Sequence, residues 1–310
     1  MKIKCAVAGM IAVALVTATP GISASHPTVS GGSAQMVITV RPPQGSSRPA
    51  NLEAGEVTVL RGNIPERVLG WQRLTGDLAD MELFVLLDDS TRSSSLGTQL
   101  PELKRFVESL PATARVAAGY MHNGTFALAQ AFTADHQKAL GALRLPMAIP
   151  GANGSPYFAL SDLVKHWPSK ESTGRRVVLI LTDGVDRYYG AASMDDPYVD
   201  AAIHDALKAG VMVYSIYLRG AGLDGRNGWV TNVAQSRLSE VSRETGGYAY
   251  FQGFTDPVTI LPFLTDFRDR LENQYQVTIE ASNQKGVQPV KLRAELHGLR
   301  IEGPTHVYVR

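Results

Sequence analysis

The stretch Leu83-Phe84-Val85-Leu86-Leu87-Asp88-Asp89-Ser90-Thr91-Arg92-Ser93-Ser94-Ser95 decides how the chain is read. Its five apolar residues stop abruptly at two carboxylates, and a hydroxyl-rich turn follows. An uninterrupted apolar run suits a strand buried on both faces, and the polar residues after it then fall at the edge of a parallel sheet. In open α/β sheets that edge is where ligands bind.

A second stretch has the same form: Val177-Val178-Leu179-Ile180-Leu181 runs into Thr182-Asp183-Gly184. If the two strands are neighbours, Asp88 and Asp183 meet at one crevice. Two like unit charges at roughly 4 Å repel by about 4 kcal/mol at an effective dielectric near 20. A positive group is therefore expected between them, and a hard divalent cation held by oxygen ligands is the obvious one.

Asp88-Asp89-Ser90 after an apolar strand, the Gly154-Ser155 turn, and Thr182-Asp183-Gly184 after a second apolar strand, in that order, resemble a von Willebrand factor type A domain with its metal-ion-dependent adhesion site. The resemblance spans residues 80–272. In that family the first motif is Asp-x-Ser-x-Ser, a distant loop gives a Thr, a later strand gives an Asp, and a carboxylate of the binding partner often completes the metal shell. Carried over residue by residue, this implies Mg²⁺ held by Asp88, Ser90, Ser155 and Asp183, and a protein partner that offers a carboxylate.

Two positions depart from the pattern. Ser155 stands where a Thr is expected, and its hydroxyl can supply the same oxygen. Arg92 stands where the second Ser belongs, and a guanidinium has only donors. Three arrangements follow. Arg92 swings outward and Mg²⁺ binds weakly. Alternatively, Arg92 replaces the metal and pairs with Asp88 or Asp183. In the third, the register slides by one residue, so that Asp89, Thr91 and Ser93 form the motif.

Each site residue also has a plainer role. Asp88 and Asp89 suit a strand end and a helix cap. Ser155 before Pro156 is a common helix N-cap arrangement, compatible with a hydroxyl that faces a crevice.

Around this centre, segments alternate as parallel-sheet folds require. Helical periodicity covers Leu100 to Leu110, Leu160 to Trp167, Asp196 to Ala209, Gln235 to Thr245 and Pro257 to Leu271, the last with Leu261, Leu264, Phe267 and Leu271 facing inward. Strands are read at Arg115–Tyr120 and Thr125–Phe132, joined by an Asn123-Gly124 hairpin turn, and at Val211–Leu218 and Tyr248–Phe251. Period-two alternation marks strands at both chain ends: Met36–Val40, a pair at Glu56–Leu60 and Arg67–Trp71 joined through Arg61–Pro65, then Tyr275–Ile279, Val290–Ala294 and His306–Val309. The expected fold is α/β: a doubly wound, mostly parallel six-stranded sheet with flanking helices, plus a small antiparallel β module built from both termini. The expected layout is a leader at 1–25, an N-terminal β segment at 26–78, the α/β domain at 79–272 and a C-terminal β segment at 273–310.

With 310 residues, 44% hydrophobic and 19% charged, the composition is that of an ordinary globular protein. Lys2 and Lys4 precede an apolar run from Ala6 to Val16, followed by Pro20, Gly21 and small residues, which reads as a secretory signal peptide. The run is shorter than the roughly 20 residues a bilayer-spanning helix needs. Cys5, the only cysteine, lies at the start of that run and leaves with it, so the mature chain has neither disulfide nor thiolate metal site. Loss of Lys2 and Lys4 leaves 28 basic side chains against 29 acidic ones, which gives no electrostatic case for nucleic acid. The expected compartment is the periplasm or the extracellular space, with no membrane span after leader removal.

The sequence lacks Gly-x-Ser-x-Gly, His-Glu-x-x-His and a phosphate-binding loop ending in Lys, and its seven histidines are scattered. The reading is a binding module and not an enzyme. The crevice face should also carry the loop from Val185 to Pro197 and a Gly-rich loop from Arg219 to Val230, with Asp186, Tyr188, Tyr189 and Trp229 contacting the partner. A structural envelope component with a dead metal site, and a cryptic serine hydrolase using Ser90 or Ser155, are the alternatives.

Overall fold

Alternating apolar and polar residues give the strands from both chain ends one inward face each. In the computed structural model, which describes residues 32–42, 51–76, 79–152, 154–170, 174–281, 285–294 and 299–310, these strands form two antiparallel sheets. The segment read as a leader lies outside the described residues. From the N-terminal side come β1 (Ser33–Arg41), β2 (Val57–Arg61), β3 (Ile64–Glu66) and β4 (Val68–Arg73). The central region contributes β5 (Met81–Asp88), β6 (Ala114–His122), β7 (Thr125–Thr133), β8 (Arg175–Thr182), β9 (Val211–Tyr217) and β10 (Ala249–Tyr250). The chain closes with β11 (Gln274–Glu280), β12 (Gly286–Ala294), β13 (Arg300–Glu302) and β14 (His306–Val309).

One terminal sheet has the order β13-β1-β11-β4 and the other β14-β12-β2-β3. Met36, Ile38 and Val40 of β1, Val277 and Ile279 of β11, Val59 of β2 and Val307 of β14 share one hydrophobic cluster, so neither sheet buries its apolar face alone. The hairpin expected between 56–60 and 67–71 does not form. β2 turns back through Gly62, at φ 62°, into β3. There Pro65 sits on an edge strand, where its missing N–H is tolerated. β4 crosses to the other sheet beside β11, because Trp71 packs on Tyr275 with ring centroids 5.1 Å apart and its indole donates to Leu52 O at 2.8 Å.

The central sheet has the order β10-β9-β8-β5-β6-β7, parallel except for β7. Every residue of β5 is buried, with β6 and β8 on its two sides. Its odd and even side chains serve opposite faces. Leu83, Val85 and Leu87 pack with α1 (Ser93–Gly97), α2 (Leu100–Glu108), α3 (His136–Ala142) and α7 (Leu261–Glu272). Phe84 and Leu86 pack with α4 (Pro156–Lys165), α5 (Pro197–Ala209) and α6 (Gly228–Glu244). From β5 the chain moves outward through β6 and β7, then returns to β8 on the other flank. The strand order therefore reverses between β5 and β8, and a crevice opens at their carboxyl ends.

Some boundaries differ from the sequence reading. α6 starts at Gly228, not near Gln235, because the Asn227 side chain caps it and accepts from Trp229 N at 3.0 Å. Trp229 thus belongs to a first helical turn and not to a loop. Leu261 opens α7 and is exposed, because the inward stripe begins only at Leu264. Two short helices, α1 and α3, lack the apolar periodicity that would announce them.

Gln274 joins the terminal strands to the central sheet. Wholly buried at the start of β11, it accepts from Arg175 at 2.5 Å and donates to Tyr214 Oη at 3.1 Å. Arg175 also reaches Leu271 O at 2.6 Å, and its burial lowers its pKa to about 10. Gln274→Leu removes a partner from a buried guanidinium and should destabilise the chain by about 1–3 kcal/mol in chemical denaturation. An unchanged midpoint would show that the seam does not depend on this side chain.

Candidate functional site

Asp88, the last residue of β5, is almost fully buried. One carboxylate oxygen accepts from the Ser90 amide at 2.9 Å and its hydroxyl at 2.8 Å; the other accepts from Thr182 Oγ1 at 2.8 Å. The ends of β5 and β8 are thereby tied through one side chain. The next residue on β8's side, Asp183, accepts from Val185 N at 3.0 Å and from Arg187 Nη2 at 2.8 Å. The chain can turn so sharply here because position 184 is glycine. Gly184 has φ 68°, and a Cβ there would lie 2.8 Å from Leu238 and 3.0 Å from Ala234 O.

The positive group expected in the crevice is thus Arg187. Its guanidinium also meets Asp224 of the β9–α6 loop, at 3.0 Å through Nη2 and 3.1 Å through Nε, so it bridges two edge loops. Burial alone would lower its pKa, but Asp183 and Asp224 hold it above the ordinary arginine value. Asp88 is less fully compensated. Burial, and after it the charge of Asp183, raise its pKa to about 6 against the opposing hydrogen bonds from Ser90 and Thr182.

Arg92 does not enter the crevice. It reaches Asp256 of the β10–α7 loop at 2.9 Å, and the same carboxylate accepts from Ser95 Oγ at 2.9 Å and Arg219 N at 2.7 Å. The arrangement in which Arg92 pairs with Asp88 or Asp183 is therefore overturned. Its cause is Asp256, a partner 164 residues away that local reading could not supply. Asp89 also faces elsewhere: it accepts from Arg144 at 2.6 and 3.3 Å and from Met147 N at 3.0 Å. Burial would raise its pKa, but Arg144 and the Met147 amide outweigh that and hold it below the ordinary value. Asp89 anchors the loop before α4, which is incompatible with the slid register.

Ser155 caps α4, accepting from Phe158 N at 3.1 Å, and its hydroxyl donates to Asp186 at 2.5 Å. Asp186 also accepts from the amides of Tyr188 and Tyr189, at 2.8 and 2.9 Å. Expected on the contact surface, Asp186 is instead wholly buried and spent on folding its own loop. Further along that loop, Arg237 of α6 donates to Ser193 O at 2.8 Å and stands 3.0 Å from Asp196, with both side chains buried. Ser90 and Ser155, the nucleophiles of the hydrolase alternative, both face carboxylates, and His122, at the end of β6, meets Asn123 at 3.3 Å.

Tyr188, Tyr189 and Trp229 are about half exposed at the crevice edge. The Tyr188 ring lies over Gly154, where a Cβ would come within 1.9 Å of Cζ, and its hydroxyl donates to Asn123 O at 2.8 Å. Trp229 donates from its indole to Ala192 O at 3.2 Å.

The oxygen donors of Asp88, Ser90, Thr182 and Asp183 would suit a hard cation in kind. They do not fit one as they stand, because a guanidinium already occupies the Asp183 oxygen that the crevice offers. The fourth expected ligand, Ser155, is committed to Asp186. Sequence reading passed over Arg187 although it lies between two residues singled out for partner contact. An arginine four residues after a strand-terminal aspartate was the available signal.

No protein-family model and no curated protein matches the sequence. Among solved structures, the chain is similar to BatB from Bacteroides thetaiotaomicron, at 14% identity over 62% of this chain and 98% of that one, with a TM-score of 0.45. It is also similar to the SpRpn10 VWA domain, at 10% identity over 60% and 94% with a TM-score of 0.41. A third is proximal thread matrix protein 1 from the mussel byssus, with a zinc-occupied MIDAS motif, at 14% identity over 66% and 48% with a TM-score of 0.45. The mostly parallel doubly wound sheet, its antiparallel edge strand β7 and the crevice where the strand order reverses are those of the α/β fold that the von Willebrand type A resemblance implied.

Asp88 makes the site sensitive to pH. The native state retains the Asp88 proton up to about pH 6, whereas the unfolded chain releases it near 3.8. Across that window the native state binds more protons, so this group's contribution to stability falls as pH rises and its cost is complete above pH 6. Asp88→Asn should therefore stabilise the protein at pH 7, by on the order of 3 kcal/mol. It should also flatten the fall in stability between pH 4 and 6, as measured by denaturant titration at each pH.

Proposed function

We propose that this chain is an exported protein-recognition module that engages a protein partner at the carboxyl edge of its central sheet. The observation that carries the reading is the clustering of exposed large apolar side chains on successive loops of that edge. Met147 and Ile149 stand on the loop before α4, Tyr188 and Tyr189 on the loop after β8, Leu223 on the loop between β9 and α6, and Trp229 on the first turn of α6. Exposed aromatic and methionine side chains gathered on one face are characteristic of protein contact surfaces. Single exposed apolar residues are ordinary; five on three neighbouring loops, with a sixth on the helical turn that follows one of them, are not.

The buried polar groups support this face from beneath. Asp186 and Ser155 shape the loop that carries the two tyrosines, Asp89 shapes the loop that carries Met147, and Arg187 joins two of the three loops. Polar groups so thoroughly committed to loop geometry suit a presenting scaffold. Partner affinity in this reading comes chiefly from apolar anchors, because a partner carboxylate would approach an edge whose buried Asp88 is already incompletely compensated. Mg²⁺ could assist only if Arg187 left Asp183. Export rests on the leader read at 1–25. Among the described residues no helix is long and apolar enough to cross a membrane.

The immobilised mature chain should capture a partner from the exported proteins of its own source. Alanine at Tyr188, Tyr189 and Trp229 together should weaken that complex by about 2 kcal/mol or more, roughly thirtyfold in Kd. Gly154→Ala, which drives the Tyr188 ring from its seat, should act in the same direction with the fold intact by circular dichroism. Undiminished affinity in the triple variant would remove this surface from the interface.

A further inference from the structure

We infer that Arg187 is this protein's tethered substitute for a divalent cation: while it is present the crevice excludes such an ion, and its removal opens the crevice to one. Four observations converge on this residue. Its guanidinium takes the Asp183 oxygen that faces the crevice, at 2.8 Å, while the other Asp183 oxygen is held by Val185 N. The same Nη2, together with Nε, also meets Asp224, at 3.0 and 3.1 Å, so a cation cannot displace the guanidinium by rotation about one bond without also breaking a link between loops. Its own amide donates to Gly154 O at 2.6 Å, which fixes where the side chain starts. Finally, Arg92 is drawn away to Asp256, which leaves Arg187 as the cation on the Asp183 carboxylate.

The strand ends at the crevice carry further hard oxygen donors. Ser90 and Thr182 each donate to Asp88 at 2.8 Å, and Asp183 follows Thr182 directly. Carboxylate and hydroxyl oxygens in such a cluster suit Mg²⁺ or Mn²⁺ once the fixed positive charge has gone. A side chain in that place differs from an ion in two ways: it cannot dissociate, and it cannot accept a partner's oxygen as a ligand. The inference concerns the interior of the site and stands whether or not the edge above it binds a protein.

The test is calorimetric titration with Mn²⁺ of the wild-type mature chain and of the R187Q, R187K and R187Q/D183N variants. R187Q, neutral and similar in shape, should gain one saturable Mn²⁺ site at least roughly tenfold tighter than anything the wild type or R187K shows. R187Q/D183N should lose it. A wild-type chain that binds one Mn²⁺ as tightly as R187Q, or a folded R187Q that gains no binding, would overturn the inference. Should R187Q fail to fold, the wild type and R187K still decide. Saturable binding abolished by Asp183→Asn overturns the inference, and its absence from both upholds it.

Discussion

Two carboxylates stand at the ends of adjacent parallel strands, nearly out of water, where the strand order of the sheet reverses. Asp88 and Asp183 are only 2% and 3% exposed, and anions so placed are stable only if donors and a positive charge reach them. Much of the edge can be understood as the answer to that requirement. Thr182 and Ser90 donate to one carboxylate, and Val185 and Arg187 to the other. Because Arg187 also holds Asp224, neutralising Asp183 draws the loop after β9 toward the loop after β8.

The same economy of buried polar groups shapes the rest of the edge. Asp186 and Ser155 form a short hydrogen bond that fixes both the start of α4 and the turn carrying Tyr188 and Tyr189. Asp89 and Arg144 fix the loop before α4, while Asp256 gathers Arg92, Ser95 and the Arg219 amide. Arg237 holds the far end of the tyrosine loop and the Asp196 cap of α5 against α6. Buried charges left unpaired are costly, so each pair specifies one loop conformation more than it adds net stability. The apolar side chains above them are consequently presented on a defined surface and not on free loops.

Much of this was legible in the chain itself. The uninterrupted runs ending at Asp88 and Asp183 announced two central strands, and period-two alternation announced the terminal strands. Asn123-Gly124 announced the turn of the β6–β7 hairpin, where both residues adopt positive φ, 50° and 74°. The partner of β4 was not legible. Alternation says that a strand has one apolar face but not which neighbour it pairs with, and the packing of Trp71 on Tyr275 joins residues far apart in sequence. α1 escaped for the opposite reason, since a five-residue helix of mostly serine has no period to read.

The sequence by itself determined the fold class, the place of the crevice and the presence of buried anions there, because strand periodicity and the position of charged residues after apolar runs are local properties. Tertiary structure alone decided which cation answers those anions. Arg92 and Arg187 each stand four residues after one of the two crevice aspartates, and only the arrival of Asp256 beside one and of Asp224 beside the other sends the first outward and keeps the second in. The fate of Asp186 was settled in the same way. A carboxylate on a polar loop reads as exposed until the Ser155 hydroxyl and two backbone amides close around it, and the Ser155 contact exists only once the start of α4 lies against the loop after β8.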